Sequence, residues 1–565
     1  MPDTTTAARL SDTERVSRCA LAAAYHERTK HRLERYANGP ETLDWDAQPD
    51  PFRRYRGAPL TPLPLLTQEP ATPWTALGTP GAAPAQAFGL DSLGAFFELS
   101  LALAAWKQAG PDRWSVRINP SSGNLHPTEG WLLCQGVAGL PDGVHHYAPH
   151  EHALELRAAR PADAGDATPR VFVALSSIAW REAWKYGERA LRYCLLDAGH
   201  AAGALAYAAA LQGWALQPRP VAAHELAAWL GLDRDGDFPG GAEREEPELL
   251  FELCPPGQSP APLPGLWPHQ PLWHGHANRL DAHPMYRWPV IDQALAATRP
   301  TEAPATAENS VRPLRPPSPV TLGDPRHAAT LIRRRRSAQR FDAQARLDAS
   351  ALWPLLQALL PGQLPFSALP VADHVHLLLF AHRVDGLAPG AYLLPRSEGG
   401  ATLLRRQLPV SMDWAPVPDA PAELPLWRLA ANPALAGTLR TLNCHQALGS
   451  DAVLGFALLA EFQPLPTPWA YRERLMEAGL LGQVLYLQAE AMGLAGTGIG
   501  CFFDDALHQL IGLTPTAAAQ APLQSVYHFT IGRPLVDARI ATTAPYAHLP
   551  ARPQRLADAA DRSTP

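Results

Sequence analysis

Cysteine is scarce in this sequence, and no two cysteines lie close together. The 565 residues include 6 cysteines, none of them in a CxxC pair. This spacing argues against a disulfide framework or a zinc site and is typical of proteins in a reducing compartment, so we expect a cytoplasmic protein. The six are Cys19, Cys134, Cys194, Cys254, Cys444 and Cys501.

A strong charge imbalance and an apolar leader are also missing. The 48 basic and 54 acidic residues give a net charge of -6, with no basic stripe of the kind that follows a phosphate backbone, so nucleic acid is not expected as a partner. The first residues, MPDTTTAARLSDTERVSRC, contain no apolar stretch suited to a secretory signal. The most apolar segment, Cys194 to Leu216, is broken by Asp197, His200 and Gln212, which predicts a buried core helix and no membrane span.

The length and an internal repeat indicate two domains of one fold. Single hydrophobic cores stop growing at roughly 250 to 300 residues, so a chain of this length is expected to divide. The segment from Arg192 to Ala215 aligns without a gap with Arg472 to Ala495, and each copy has the pattern of a buried helix that ends at a glycine. Short apolar or β-branched runs at 171–175, 374–380 and 526–532 predict strands, and the whole is an α+β arrangement.

Three segments combine residue types that suit ligand binding. Arg333 to Arg336, followed by Ser337 and Arg340, offer guanidinium and hydroxyl donors to a phosphate, although such a charge run is more often a solvated face. In the first half, Pro120, Ser121, Ser122 and Asn124 form a tight PSSGN loop, for which a plain turn is the alternative.

The third segment, Gly493 to Asp505, follows the second repeat helix and is rich in glycine. It lacks the strand-to-helix GxGxxG context of a dinucleotide site, so its glycines are expected to let the backbone lie against a flat ring. Asp504 and Asp505 are expected to begin a helix as N-caps.

Taken together, these segments resemble the nitroreductase family. RRRRSAQRF is similar to the family's opening RRSxRxF, and TGIGCFFDD is similar to its flavin-edge segment. PSSGNLHPTE, LPDGVHHY and WKYGERALRYCLLDAGH resemble the SagB-type (thiazoline and oxazoline) dehydrogenase branch, and the insert WHGHANRLDAHPMYRWPVI and the closing SVYHFTIGRPLVDAR resemble the tandem, two-domain proteins of that branch. The resemblance covers most of Arg117 to Arg539, and it implies an α+β FMN-dependent oxidoreductase in which two nitroreductase-like domains form an intramolecular pseudo-dimer.

The resemblance also implies roles for individual residues. Arginine and serine side chains would hold the FMN phosphate, the PSSGN loop would approach the flavin from the other half, and backbone groups of the glycine segment would lie beside the ring. The residues concerned are Arg334, Arg336, Ser337, Arg340 and Arg539 for the phosphate, Pro120, Ser121, Ser122 and Asn124 for the loop, and Gly498, Ile499 and Gly500 for the glycine segment.

Each half lacks what the other half has. The first half has PSSGN but no RRS element, and LQPRPVA stands where the second half has its TGIG segment; the second half has no counterpart of PSSGN. We therefore predict one composite flavin site per chain and a second, decayed position related to it by pseudo-symmetry.

Lys185 and Tyr186 are the candidate catalytic pair, again by resemblance to the azoline dehydrogenase branch. A partly desolvated lysine has a lowered pKa and can remove a proton while hydride passes to the flavin. The alternative is an ordinary pair on an exposed helix start. A histidine cluster, His145, His146, His150 and His152, could suggest a metal site, but its hairpin pattern and the resemblance favour no metal.

These interpretations divide the chain into an N-terminal extension (1–85), a first domain (86–255), a Trp/Pro-rich insert and linker (256–325), a second domain (326–548) and a C-terminal tail (549–565). The expected function is hydride transfer between flavin and a small molecule or modified peptide, by an azoline-type dehydrogenase or by a nitro or quinone reductase that uses NAD(P)H. The alternative is a non-catalytic flavin-binding scaffold in a peptide-modification pathway. No membrane partner is expected, and a pseudo-dimer within one chain is compatible with a monomer.

Overall fold

The computed structural model describes residues 10–159, 168–260, 263, 271–304, 326–369, 373–409, 411–513 and 517–549. The predicted linker between 305 and 325 and nearly all of the predicted tail, 550–565, lie outside the described residues. The described part contains two large antiparallel sheets, one in each half, and two long helices that pack on each other at the junction.

Helices occur in both halves. They are α1 (Asp12–Arg28), α2 (Leu90–Glu98), α3 (Ala179–Tyr186), α4 (Ala190–Leu211), α5 (Ala223–Leu230), α6 (Pro289–Thr298), α7 (Ala328–Arg334), α8 (Ala349–Ala358), α9 (Glu398–Gln407), α10 (Leu435–Leu442), α11 (Leu448–Asp451), α12 (Ala470–Ala491) and α13 (Asp504–Leu510).

The strands are short and mostly antiparallel. In the first half they are β1 (Tyr55–Arg56), β2 (Leu60–Pro62), β3 (Leu103–Ala109), β4 (Asp112–Arg117), β5 (Thr128–Gln135), β6 (Gly143–Ala148), β7 (Ala153–Ala159), β8 (Arg170–Ser177), β9 (Ala215–Pro218), β10 (Glu246–Cys254), β11 (Leu272–Trp273) and β12 (His276–Ala277). In the second half they are β13 (Leu347–Asp348), β14 (Val375–Ala381), β15 (Val384–Asp385), β16 (Gly390–Leu394), β17 (Ala415–Pro416), β18 (Trp427–Ala431), β19 (Leu454–Glu461), β20 (Ala495–Ile499), β21 (Leu523–Gly532) and β22 (Ala541–Thr543).

The two sheets have the same strand order. The first runs β11-β7-β6-β5-β8-β10-β9 and the second runs β17-β18-β16-β14-β19-β21-β20, so seven positions correspond one to one, and the first sheet has an additional strand, β2, paired with β7. The inner faces of both sheets contribute to one shared hydrophobic core, whereas each outer face has a cluster of its own. The predicted α+β fold in two similar halves is therefore confirmed.

Helices α4 and α12 are the predicted repeat helices, and each packs on the sheet of its own half. Both end before a left-handed glycine, Gly213 with φ 70° and Gly493 with φ 71°. Nearly every residue of α4 is buried, because the helix is covered on all sides by protein. By length and composition the helical stretch Ala179–Leu211 could cross a membrane, but 94% of its apolar window is buried inside the protein, as in a core helix.

The two helices touch at aligned glycines. A Cβ on Gly199 would lie 2.0 Å from the carbonyl oxygen of Met476, and a Cβ on Gly479 would lie 2.0 Å from the carbonyl oxygen of Leu196. Gly199 aligns with Gly479 and Leu196 with Met476, so the same contact is made twice with the roles exchanged. Such self-complementary contact is the signature of a two-fold interface, here within one chain.

The segments outside the two domains pack against the first half. Strand β22, near the end of the described chain, pairs with β3 of the first half. Residues 272–277, inside the predicted insert, add β11 to the first sheet and pair β12 with β1. In the N-terminal extension, Arg28 of α1 forms an ion pair with Glu188 across 2.6 Å.

Candidate functional site

The PSSGN loop connects β4 to β5 and lies at the junction of the halves. Three of its residues have left-handed backbone, Gly123 (φ 58°), Asn124 (φ 61°) and His126 (φ 55°), a conformation that is costly for the two residues other than glycine. The Ser121 hydroxyl accepts a hydrogen bond from the backbone of His126 at 2.8 Å, and the Asn124 amide donates to the carbonyl of Ser115 at 2.8 Å. These side chains thus hold the loop in its shape, and the loop presents its backbone at the partly exposed surface.

Asp197 of α4 accepts hydrogen bonds from the PSSGN loop. The backbone N–H of Ser122 donates to both carboxylate oxygens at 3.1 Å, and the Ser122 hydroxyl donates to Oδ1 at 3.0 Å. Burial raises the pKa of Asp197 to about 7, even though the hydrogen bonds from Ser121 and Ser122 oppose the shift. Nearby Glu182 is also buried, with neither carboxylate oxygen bonded among the described residues, and burial followed by the charge of Asp197 raises its pKa well above the usual range.

Lys185 and Tyr186 lie at the C-terminal end of α3, next to this loop. They are not at an exposed helix start: both are partly buried, and a Cβ on Gly123 would lie 2.5 Å from the Tyr186 hydroxyl. The Lys185 ammonium lies 5.3 Å from the centroid of the Trp45 ring. Burial lowers the pKa of Lys185, and the charge of Glu182 partly offsets that effect.

Two tyrosines connect the loop to the glycine segment of the second half. The ring of Tyr186 lies 4.4 Å from that of Tyr193 in α4, measured between centroids. A Cβ on Gly500 would lie 2.0 Å from the Tyr193 ring, so only glycine fits there. The first-half loop and the second-half glycine segment therefore meet at this tyrosine pair.

The arginine run at the end of α7 divides its side chains among different partners. Arg333 pairs with Glu69 at 2.6 Å, and Arg334 lies 4.0 Å from Glu490. The Arg336 guanidinium donates to three backbone carbonyls, among them that of Ala104 at 2.9 Å. The run is therefore not a uniformly solvated face.

Arg335 is the buried member of the run. Its Nε donates to the carbonyl of Ile118 at 3.1 Å and its Nη2 to that of Arg117 at 3.0 Å, just before the PSSGN loop. Its remaining nitrogen, Nη1, is buried without a hydrogen-bond partner among the described residues. Arg335 thus ties the RRRRS segment to the loop and keeps one donor uncommitted.

Ser337 and the edge strand β20 both form hydrogen bonds with the hydroxyl of Tyr486. Ser337 forms a bridge with Gly496, and its Oγ lies 2.8 Å from the Tyr486 hydroxyl. The backbone N–H of Gly498 donates to the same hydroxyl at 2.9 Å, while Ile499 is buried. RRRRS, PSSGN and TGIG, which are distant in sequence, are therefore in one contiguous region at the junction.

Arg340 and Arg539 both act on the carboxylate of Asp537. Arg539 is exposed and pairs with Asp537 at 2.6 Å, and both arginines help to lower the pKa of Asp537 to about 2, chiefly through the Arg539 hydrogen bond. These two arginines form a surface cluster of their own.

The position related by pseudo-symmetry has different chemistry. In register with the repeat, Gly496, Gly498 and Gly500 correspond to three bulkier residues of the first half, Leu216, Pro218 and Pro220. Asp197 corresponds to Glu477, which accepts from the backbone of His374 at 3.1 Å and pairs with the buried guanidinium of Arg396. At this position the Arg396–Glu477 ion pair takes the place of the contact between Asp197 and the PSSGN loop.

The clustered histidines have separate hydrogen-bond partners. His146 lies between Glu155 (2.8 Å) and Glu129 (3.1 Å). His145 contacts the carbonyl of Pro141 at 2.9 Å, and His152 contacts the Tyr147 hydroxyl at 2.8 Å. Each of these three imidazoles serves the packing of the β6–β7 hairpin.

Sequence reasoning missed the residues that join the three segments. Asp197 and Tyr193 lie on a helix recognised only as core, and Tyr486 lies in the apolar repeat. The positions of these residues along the sequence do not indicate that they contact the loops. An aspartate in an apolar helix was the one available signal, since a buried carboxylate needs hydrogen-bond donors.

The fold and the site together define an α+β protein of two similar halves with a composite site at their junction, and comparison with solved structures identifies the nitroreductase fold. A protein of Anabaena variabilis described as a nitroreductase aligns with 91% of this chain and 99% of its own length, at 21% identity and a TM-score of 0.65. Residues 332–533 match the model of the Nitroreductase family, so the second half carries a domain of that family.

Other solved structures align with only part of the chain. A protein of Ralstonia eutropha described as a nitroreductase covers 41% of this chain and 94% of its own, at 17% identity and a TM-score of 0.26. The NADPH:FMN oxidoreductase of Vibrio harveyi, solved with NAD+, covers 37% and 68%, at 14% identity and a TM-score of 0.24. These scores are too low to support an argument. No curated protein matches the chain significantly.

Proposed function

We propose that this chain is an FMN-dependent oxidoreductase with one flavin site, formed by RRRRS and TGIG of the second half and by PSSGN of the first. The observation that supports it best is the meeting of these three segments at one junction, linked by Arg335, Tyr486 and the pair of tyrosines. Since both halves belong to one chain, the site needs no second copy.

The residues present at the junction fit such a ligand. Arg335 keeps a buried, uncommitted Nη1, which suits an anionic or carbonyl acceptor, and Ser337 adds a hydroxyl close by. The glycines of β20 let aromatic side chains pack directly on the backbone, since a Cβ on Gly498 would lie 1.7 Å from the Tyr527 hydroxyl and one on Gly496 would lie 2.5 Å from the Phe529 ring. Arg335 and Ser337 would hold the phosphate or the polar edge, and the loop around Ser122 would cover the ring. When bound, FMN would accept and pass on a hydride.

The test is the spectrum of the purified chain before and after reconstitution with FMN. We expect flavin absorbance, and we expect Arg335→Met to weaken FMN binding at least tenfold, the effect of losing about 1.4 kcal/mol. Arg406→Met, an equal charge change at an exposed position of α9, serves as the control and should bind FMN normally. A colourless chain that cannot be reconstituted would reject both the flavin enzyme and the flavin-binding scaffold, whereas a flavin-loaded chain without turnover would favour the scaffold.

For the direction of the reaction, we propose that the substrate is oxidised, with Lys185 as the base. The half-buried position of Lys185 beside the loop favours this variant, because burial lowers its pKa toward the range in which a neutral amine accepts a proton. Tyr186, which packs against Gly123, would orient the substrate. The sequence resemblance suggests an azoline ring, free or in a modified peptide, as the substrate.

Lys185→Ala tests this role. The variant should keep its FMN but lose turnover by roughly 100-fold or more, as is usual when a general base is removed. The wild-type rate should rise with pH as Lys185 loses its proton, and the variant should lack that limb. Unchanged turnover in the variant, or rapid turnover with NAD(P)H and a quinone or nitroaromatic, would instead support the reductase alternative.

A further inference from the structure

Two cysteines that are distant in sequence lie side by side next to the proposed flavin site. Cys501 follows Gly500 directly, and its Sγ lies 2.9 Å from that of Cys444, just beyond α10. Both are free thiols and both are partly exposed. The wide spacing of the cysteines argues against a disulfide framework, but it does not predict which thiols meet, because sequence separation does not report distance in the fold.

The backbone around Cys444 is unusual. Cys444 (φ 52°) and His445 (φ 62°) are consecutive non-glycine residues in the left-handed region. This conformation persists only where the surroundings enforce it, and it is concentrated at functional sites. Here it accompanies the approach of the two sulfurs.

The surroundings distinguish the two thiols. The backbone N–H of Ala37 donates to Nδ1 of His31 at 2.9 Å, so the proton of the neutral ring lies on Nε2, and His31 helps to lower the pKa of Cys501. Arg189 donates to the carbonyl of Gly500 at 3.0 Å and adds positive charge nearby. The hydrogen bond with Cys444, aided by His31 and by the charge of Arg189 and opposed by burial, lowers the pKa of Cys501, whereas the pKa of Cys444 is raised.

These features suit electron exchange better than metal binding. Within the described ranges, no group of three or more His, Cys, Asp or Glu side chains is arranged to hold a metal ion. A partly exposed thiolate with a second thiol within contact distance is the arrangement found in dithiol redox centres. In register with the repeat, Val221 stands at the position of Cys501, so only one junction has this pair.

We propose that Cys444 and Cys501 form a redox-active dithiol that exchanges with low-molecular-weight disulfides. The Cys501 thiolate attacks one sulfur of the small disulfide, forms a mixed disulfide and releases one small thiolate. Cys444 then gives its proton to that thiolate and attacks Cys501 Sγ, which releases the second small thiolate. The two protein thiols lose two electrons in all, and the small disulfide gains them and leaves as two thiols after protonation from water.

The test uses the full chain in buffers of reduced and oxidised glutathione at pH 6, followed by acid quenching, alkylation and peptide mapping. We expect an internal Cys444–Cys501 disulfide, with the mass of the chain reduced by two hydrogen atoms. Cys444→Ser should stop at a glutathione adduct on Cys501, and Cys501→Ser should leave Cys444 unmodified. Cys19→Ser, which removes a partly exposed thiol whose pKa is raised by burial, serves as the control and should still form the disulfide.

Two results would overturn this proposal. One is a wild-type chain that keeps both thiols in fully oxidised buffer. The other is equal glutathione labelling of the two single variants, which would assign no special reactivity to Cys501. Because the reaction involves sulfur atoms alone, either result is independent of whether the chain binds FMN.

Discussion

The two halves share their strand order and their contacts at the helix crossing, yet the two junctions they create differ. At one junction the glycine segment packs against aromatic side chains and Asp197 holds the PSSGN loop; at the other, Leu216, Pro218 and Pro220 replace the glycines, and the Arg396–Glu477 pair replaces the loop contact. The two halves are therefore symmetric in the residues that pack them together and asymmetric in the residues that would form a second flavin site.

The helix crossing should be the most sensitive part of this symmetry. Gly199→Ala and Gly479→Ala each place a Cβ against a backbone carbonyl, and such overpacking costs about 1 to 3 kcal/mol, at the upper end where backbone must move. We expect each to lower the melting temperature by about 5 °C or more, and by similar amounts, since the contact is made twice. Gly437→Ala in α10, where a Cβ meets nothing within 4 Å, is the control and should be neutral or slightly stabilising. Clearly unequal losses of stability in the two variants would contradict the two-fold symmetry of this contact.

The buried arginines of the two junctions should respond differently to the same change. Arg396→Met leaves Glu477 and Asp373 without their cation, which typically costs about 3 to 5 kcal/mol, so the melting temperature should fall while FMN binding is retained. Arg335→Met removes donors to carbonyls and strands no carboxylate, so it should cost less stability but weaken FMN binding. Thermal scans and FMN titrations of both variants measure the two effects. If Arg396→Met weakened FMN binding and Arg335→Met did not, flavin would bind at the other junction.

A smaller effect is expected from the pH dependence of Asp197. Its pKa rises from 3.8 to about 7 on folding, so the folded chain keeps this proton while the unfolded chain releases it, and stability decreases as pH rises from about 4 to about 7. Asp197→Asn keeps an acceptor for Ser122 and cannot titrate. The free energy of unfolding of the variant relative to wild type should therefore increase with pH over that interval, by up to a few kcal/mol. Thermal scans at several pH values measure this as a rise in the relative melting temperature. A difference that stays constant with pH would show that Asp197 is not held protonated.

Local patterns predicted the parts of the fold that depend on local physics. The repeat helices, their glycine ends and the strands predicted at 171–175, 374–380 and 526–532 are present as α4, α12, β8, β14 and β21, with β14 beginning one residue later than predicted. The pairing of β22 with β3 was not predicted, because it joins residues from opposite ends of the chain.

The candidate site shows the same limit. The sequence indicated its three segments, but not Tyr486 or Asp197, which connect them. Asp504 was expected to cap α13, yet Phe503 is the N-cap, and the Asp504 carboxylate instead pairs with Arg189 and Arg192 across the junction. Buried arginines from the other half outcompete a local capping role, and spacing along the chain carries no sign of that.

The central claim, one flavin site from two similar halves, is tested most directly by the molar ratio of FMN to chain after saturation and removal of free flavin. Released FMN measured by absorbance against protein from amino-acid analysis gives this ratio. The account predicts one FMN per chain. Two FMN per chain would contradict it, because the junction of Pro218 and Arg396 would then also bind flavin.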